Sequence, residues 1–468
     1  MEYRNEKDFI GEIKIPIDAF WGIHTARALE NFSVSGILVN RELVHAFGEV
    51  KLACARVNYR LGYLSEEIFV PLSQACMEMS RGELDKWIVV DAFQGGAGTS
   101  TNLNICEVLA NRVLRILGKE MGLYKFCDPF EHVNLHQSTN DVYPTALKVA
   151  ALKSLTALEA AVNRTQELLQ GKENEFADVL KMGRTELMDA IPMTLGRTFG
   201  AWADALSRDR WRIFKATERL RVVNLGGTAL GTGLGAPKKY ILAVVDELKA
   251  ISGLPVARAE NLVDNTQNQD VFVEIMGMLK AHAVNLMKLA GDLRLLAMGP
   301  QGGLAEIELP ALQAGSSLMP GKVNPVIPEM LTQIGIQVMA ADQAVSWAAA
   351  SGQLELNAFL PLIAHHVLSA LELLTRGNVL AAQKMLPDIR ANRARCAQWV
   401  LKSEAVATVL VPLIGYHQAA CVAELMKEGD RDFISAAVEV TGFSREKIET
   451  MITPAKLNEL GFSDAEKR

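Results

Sequence analysis

The chain has no surplus of positive charge, no paired cysteines, no long uncharged apolar run and no low-complexity linker. With a formal net charge of −6, neither nucleic acid nor an acidic membrane surface is expected as a partner. The six cysteines, Cys54, Cys76, Cys106, Cys127, Cys396 and Cys421, show no CxxC spacing. A zinc cage or a disulfide framework is therefore not expected, and reduced thiols in a cytoplasmic protein fit this usage. The longest uncharged apolar stretch, Leu356 to Leu371, holds a proline and two histidines and is too short to span a bilayer. The opening MEYRNEKDFIGEIKIP lacks an apolar leader core, so no signal peptide is expected.

What is present is a soluble globular composition, 49% hydrophobic and 22% charged over 468 residues, with two to four domains as the prior. Long helices are expected after about residue 140. Asp270 to Met298 is apolar on several faces and predicts a helix roughly 40 Å long at about 1.5 Å per residue. Met330 to Ala350 and Leu356 to Leu374 read alike. Such helices side by side form a bundle too apolar outside for a monomer, so association through the bundle is expected. Segments before residue 140 are shorter and broken by Gly36, Gly62 and Gly95–Gly96. After about residue 392 helices shorten again, and Thr453–Pro454 reads as an N-cap with proline at the first helical position. The expected division is mainly helical throughout: a mixed N-terminal domain (1–140), a central long-helix bundle (141–392) and a small C-terminal domain (393–468).

The densest chemistry lies in Gly315 to Pro325, GSSLMPGKVNP. Gly315, Pro320 and Gly321 forbid a regular helix, while Pro325 and Pro328 favour starting one. Ser316, Ser317, Lys322 and Asn324 thus occupy a polar, cationic loop delivered to a helix start, which suits a carboxylate. The loop contains no histidine or acid to serve as a base. If one of its serines is catalytic, backbone N–H groups and Lys322 must stabilise the alkoxide. A phosphate-binding P-loop is excluded by five residues between the glycines and by Val323 in place of a hydroxyl.

Three further segments are similar in kind. QGGAGTSTNLN (94–104) opens an amphipathic segment through Leu117 with Thr99 and Ser100 at its start. HQSTNDVYP (136–144) offers Asn140 or Asp141 as a cap for a helix that Pro144 helps initiate. GRTELMDAIP (183–192) places hydroxyl and polar groups before a helix expected to begin at its proline. Each alone is an ordinary cap. Four clusters of uncharged donors, one with a lysine, together suit a small ligand with two carboxylates. GTGLG (231–235) lacks the strand and ribose-binding acid that a dinucleotide fold needs.

These segments, with HTARALENF (24–32), NLGGTALGTGL (224–234), GSSLMPGKVNPVIPE (315–329) and GQLELN (352–357), resemble the aspartase/fumarase superfamily over nearly the whole chain. Every defined position of that superfamily's signature, GSSxMPxKxNP, is present. Fumarases of the superfamily carry glutamine at the position of His24, SGTQ around Thr99, serine at Thr139 and TQCE after the signature. This chain is similar to the ammonia-lyase branch at each place. The resemblance implies a three-domain fold with a tetrameric helical core, and reversible anti elimination of ammonia from L-aspartate to fumarate. It implies a homotetramer whose sites each draw on three chains. No cofactor and no metal are implied for the chemistry; a divalent cation such as Mg would act only as an activator.

By the same resemblance, Ser316 is the general base, with Lys322 beside it. Ser317, Ser138 and Thr139 would grip the β-carboxylate, and Lys322, Asn324 and Thr185 the α-carboxylate. Thr99 and Asn140 would contact the amino group. Two departures stand out. Glu186 follows the GRT motif where many relatives carry histidine, and a carboxylate there would favour the substrate's ammonium. Gln301 replaces a usual arginine. Fumarate hydration and a helical scaffold that has lost catalysis remain the alternatives.

Overall fold

The computed structural model of the chain describes residues 2–429 and 431–462. Among them are 17 α-helices and eight short strands paired as four two-stranded sheets. Five helices run 25 residues or more: Thr139–Glu175, Leu195–Leu220, Asp270–Leu296, Val326–Ala350 and Leu360–Lys384. The mainly helical class follows from the sequence as expected, with helix ends set by local chemistry. Val326–Ala350 starts directly after Pro325 and holds Pro328 in its first turn, where a backbone N–H has no helical partner to lose. The next helix starts at Leu360 because Asn357, fully buried, turns the chain first. Its amide donates to Ala348 and Ala349 carbonyls, 3.0 and 3.1 Å, and its oxygen accepts the Phe359 N–H at 2.8 Å. No single helix among the described residues is long and apolar enough to cross a membrane.

The chain divides into two compact units, each built from three segments. The first comprises Met1–Ala160, Trp211–Ala283 and Ile336–Thr375; the second comprises Ala161–Arg210, Val284–Gly335 and Arg376–Arg468. In the first unit, helix Arg41–Arg60 packs on Glu66–Ser80 at backbone distance. A Cβ on Gly48 would lie 2.6 Å from Ser80 N and 2.8 Å from the Cys76 carbonyl, so only glycine permits the approach. Phe47, Val50, Leu72 and Met79 are buried around that crossing. Glu107, buried on helix Thr99–Ile116, caps helix Ile23–Asn31 from outside. It accepts the N–H groups of Gly22, His24 and Thr25 at 2.8, 2.7 and 3.1 Å and the Thr25 hydroxyl at 2.6 Å. Burial still pushes its carboxyl up to about 7.

In the second unit, Met182, Val400, Leu410, Val422, Phe433 and Ile448 form one apolar cluster. The hairpin Leu180–Thr185/Met188–Thr194 belongs to this unit. Here one expectation is corrected. Segment 183–192 does not open a helix: it is the distal part of the hairpin, with Pro192 opposite Met182, and the helix begins later at Leu195. A two-stranded sheet has only edge strands, and there a missing N–H is tolerated.

Helix Thr99–Ile116 starts from a left-handed turn, with φ of 82°, 56° and 93° at Gly96, Ala97 and Gly98. A Cβ on Gly98 would overlap the buried Tyr143 ring. Gly98→Ala is expected to cost roughly 2–4 kcal/mol, combining a forced left-handed φ with overpacking. Urea unfolding measures this, and a loss below about 1 kcal/mol would mean that the ring yields freely.

Candidate active site

The sequence-predicted residues fall into two groups, one in each unit. Thr99, Ser138, Thr139 and Asn140 belong to the first; Thr185, Glu186, Ser316, Ser317, Lys322 and Asn324 belong to the second.

In the first unit, Ser138 stands just before helix Thr139–Glu175. Its hydroxyl accepts the Asn140 N–H at 3.2 Å, and Asp141 reaches back to accept the Ser138 N–H at 2.9 Å. This is the reciprocal bonding of a capping box. Pro144 lies inside the helix rather than at its first position, so it cannot donate to the carbonyl of Asn140 four residues earlier. Asn224 fills the gap, its amide donating to that carbonyl at 2.9 Å. The Asn140 side chain in turn donates to the Ala229 carbonyl at 2.9 Å. Thr139 is buried, and its hydroxyl accepts from Asn102 at 3.1 Å, which ties this turn to the helix that begins at Thr99. Thr99 is exposed, with its hydroxyl donating to the Gly96 carbonyl at 2.7 Å.

Beneath this turn lies a polar layer that sequence reasoning missed. Lys51, 1% exposed, donates to Asn134 Oδ1 at 2.8 Å and Gln137 Oε1 at 2.9 Å, and Asn102 also reaches Asn134 Oδ1, at 3.2 Å. Only the pairing of amides with a lysine far apart in the chain could have signalled it. His365 and His366 are half-buried; His365 packs against Phe93 with ring centroids 5.3 Å apart. Burial lowers the pKa of both.

In the second unit, Thr185 and Met188 pair across a two-residue turn whose central residues, Glu186 and Leu187, have φ of 53° and 66°. Those values match the twist of a hairpin but are usually supplied by Asn-Gly or Asp-Gly. Holding two side-chain-bearing residues there costs of order 1–3 kcal/mol each, strain of the kind that gathers at functional sites. The strand behind the tip is anchored by buried charge: Arg184 Nη1 lies 2.9 Å and Lys181 Nζ 3.5 Å from the fully buried Glu306 carboxylate.

The signature loop is closed at its neck by Gly315. Its N–H donates to the Lys322 carbonyl at 2.7 Å and its carbonyl accepts from the Asn324 amide at 2.8 Å. A Cβ on Gly315 would lie 2.8 Å from Asn324 N and the Lys322 carbonyl, so the neck excludes any larger residue. Within the loop, the Ser316 oxygen accepts the N–H groups of Leu318 at 3.1 Å and Met319 at 2.8 Å. Ser317 and Lys322 are exposed, and Ser316 and Asn324 half-buried. Lys322, Asn324 and Glu329 also line a cavity of about 900 Å³ walled by Arg294, Leu309 and Asn392. Among the described residues, no three His, Cys, Asp or Glu side chains are grouped to hold a metal ion.

A family profile described as lyase matches residues 11–340. The chain belongs to the aspartase/fumarase lyase family. It is similar to the aspartate ammonia-lyase of Bacillus subtilis (strain 168), 41% identical over 465 residues, 99% of this chain and 98% of that one. It is also similar to the aspartate ammonia-lyase of Escherichia coli (strain K12), 40% identical over 439 residues, 93% and 92% of the two chains. Among solved structures, a fumarate lyase:delta crystallin from Brucella melitensis bound to cobalt is 44% identical with a TM-score of 0.94, covering 98% of this chain and 100% of that one. A class II fumarase from Schistosoma mansoni is 32% identical with a TM-score of 0.88, covering 97% and 98%. Lyase family membership makes this chain an enzyme acting on a small molecule.

Proposed function

We propose that this lyase is an aspartate ammonia-lyase, which eliminates ammonia reversibly from L-aspartate to give fumarate. The observation that carries the reading is the Ser316 oxygen receiving two backbone N–H groups in a loop without histidine or acid. Two fixed donors favour the alkoxide over the hydroxyl, which makes Ser316 a base without a relay. The alkoxide takes the proton from the carbon beside the β-carboxylate, and the electron pair spreads onto that carboxylate as an aci-dianion. The C–N bond then breaks, ammonia leaves with its pair, and the double bond of fumarate forms. Ser317, Ser138 and Thr139 hold the β-carboxylate, where charge grows most. Lys322, Asn324 and Thr185 hold the α-carboxylate, and Thr99 and Asn140 the amino group. The near full-length likeness to two aspartate ammonia-lyases supports aspartate over malate.

Glu186 stands at the strained hairpin tip beside Thr185, and we assign it to the substrate's ammonium. From the same family likeness we further propose a homotetramer in which each site draws on three chains. Ile336, Met339 and Trp347, 55%, 38% and 73% exposed on one face of helix Val326–Ala350, support association through the long helices. Free thiols support a cytoplasmic setting. Divalent activation by Mg is compatible with this chemistry and is not needed by it.

Ser316→Ala is expected to lower kcat on aspartate by roughly 10²–10⁴-fold, the range that a general base contributes. Ultraviolet detection of fumarate from aspartate and from malate checks both claims: turnover of malate alone would reassign the enzyme as a fumarase. Glu186→Gln should raise KM for aspartate up to about fivefold, the scale of one exposed ion pair, and unchanged kinetics would remove Glu186 from the site. Specific activity should fall as dilution dissociates the assembly, followed by light scattering; a fully active monomer would refute shared sites.

A further inference from the structure

Asp141 is the one acid in the HQSTNDVYP segment, and it is fully buried. Its carboxylate accepts three backbone N–H groups from two separate turns. Oδ1 takes Ser138 at 2.9 Å; Oδ2 takes Gly226 and Thr228, each at 3.1 Å. Gly226 and Thr228 have φ of 91° and 57°, so this second turn holds its N–H groups inward by a left-handed backbone. Two further bonds join the same turns, Asn224 to the Asn140 carbonyl and Asn140 to the Ala229 carbonyl. The NLGGTALGTGL motif, which the reaction itself does not use, is therefore the platform on which Ser138–Asn140 rests.

We propose that Asp141 is a positioning residue that clamps the Ser138–Asn140 turn to the Gly226–Ala229 turn, and so sets where Ser138, Thr139 and Asn140 meet the substrate. This rests on the assignment of those three residues to substrate binding. The clamp needs an acceptor on both oxygens. Protonation, or an amide, puts a donor against at least one buried N–H, and a facing pair of donors pushes the two turns apart.

The charged and titratable groups facing this carboxylate are few. Lys51 and Cys54 come from helix Arg41–Arg60, and Tyr240 from helix Lys238–Ser252; the His136 ring packs against Tyr240 at a 57° tilt with centroids 5.6 Å apart. Burial pushes the Asp141 carboxyl up to about 6 against the pull of its three N–H donors and Lys51. The folded protein thus gains from protonating Asp141 as pH falls through 6, while the clamp is lost. Activity and this contribution to stability move in opposite directions.

The test is Asp141→Asn in the assembled enzyme, with kcat and KM for L-aspartate measured from pH 5 to 8. A displacement of about 1 Å in bound substrate costs roughly 10²-fold, so kcat/KM at neutral pH should fall about that much. KM should carry a large share, and the acid limb near pH 6 should vanish while light scattering shows the wild-type assembly. Wild-type kcat/KM, or an acid limb unchanged in the variant, overturns the clamp. If Asp141→Asn does not assemble, Asp141→Glu keeps the charge but moves the oxygens by one methylene. Lowered kcat/KM in an intact assembly supports the clamp, and full activity overturns it. Failure of the function assignment reads differently: Ser316→Ala would then leave turnover intact, whatever Asp141 does.

Discussion

Two backbone N–H groups meeting on the oxygen of Ser316 are the interaction on which the proposed chemistry depends. A serine hydroxyl is a poor base, and the loop offers no neighbouring imidazole to improve it. What the loop offers instead is geometry. Gly315 closes the neck between Lys322 and Asn324, and the chain between is bent so that Leu318 and Met319 direct their N–H groups at one atom. Donors that are fixed before the reaction need no reorganisation when charge develops, which is where such groups contribute most. The glycine and proline punctuation of the segment is therefore a chemical requirement as much as a structural one.

How much of this was legible in the sequence depended on the range of the interaction. The long helices were legible because apolar residues recur on several faces, but their ends were less so: the segment expected over Leu356 to Leu374 is helix Leu360–Lys384, starting four residues later and running ten further. Asn357 delays a helix start by bonding to the end of the preceding helix, a contact that no local pattern reports. The signature loop was legible because its meaning is local: glycine, proline and hydroxyl within eleven residues. The hairpin at 180–194 was not. A two-residue turn of its kind is announced by asparagine or glycine, and here Glu186 and Leu187 take the left-handed backbone instead. The signal was absent because the turn pays for its shape in strain.

The supporting layer was also invisible, for a different reason. Lys51, Asn102, Asn134, Asp141 and Asn224 come from distant segments, and each looks ordinary alone. Their roles appear only when burial is known. A buried amide or carboxylate must find partners or destabilise the fold, so the identity of each constrains the others. The same holds in the second unit, where Arg184, Lys181 and Glu306 anchor the strand that carries Thr185. Removing one member of such a set leaves an uncompensated buried charge, which costs more than the set contributes.

A protein of net charge −6 that takes a dicarboxylate substrate faces an electrostatic problem. Surrounding the ligand with lysines and arginines would also bind the two ground-state carboxylates tightly, so much of their attraction would go into uniform binding rather than rate. The residues assigned to the β-carboxylate are hydroxyls, with Lys322 and Asn324 assigned to the other end. Neutral donors gain strength as charge grows on the acceptor, so they favour the transition state over the bound substrate. Keeping the buried cations one layer back, as Lys51 lies behind Asn134 and Gln137, orients those donors without neutralising the charge they are meant to meet.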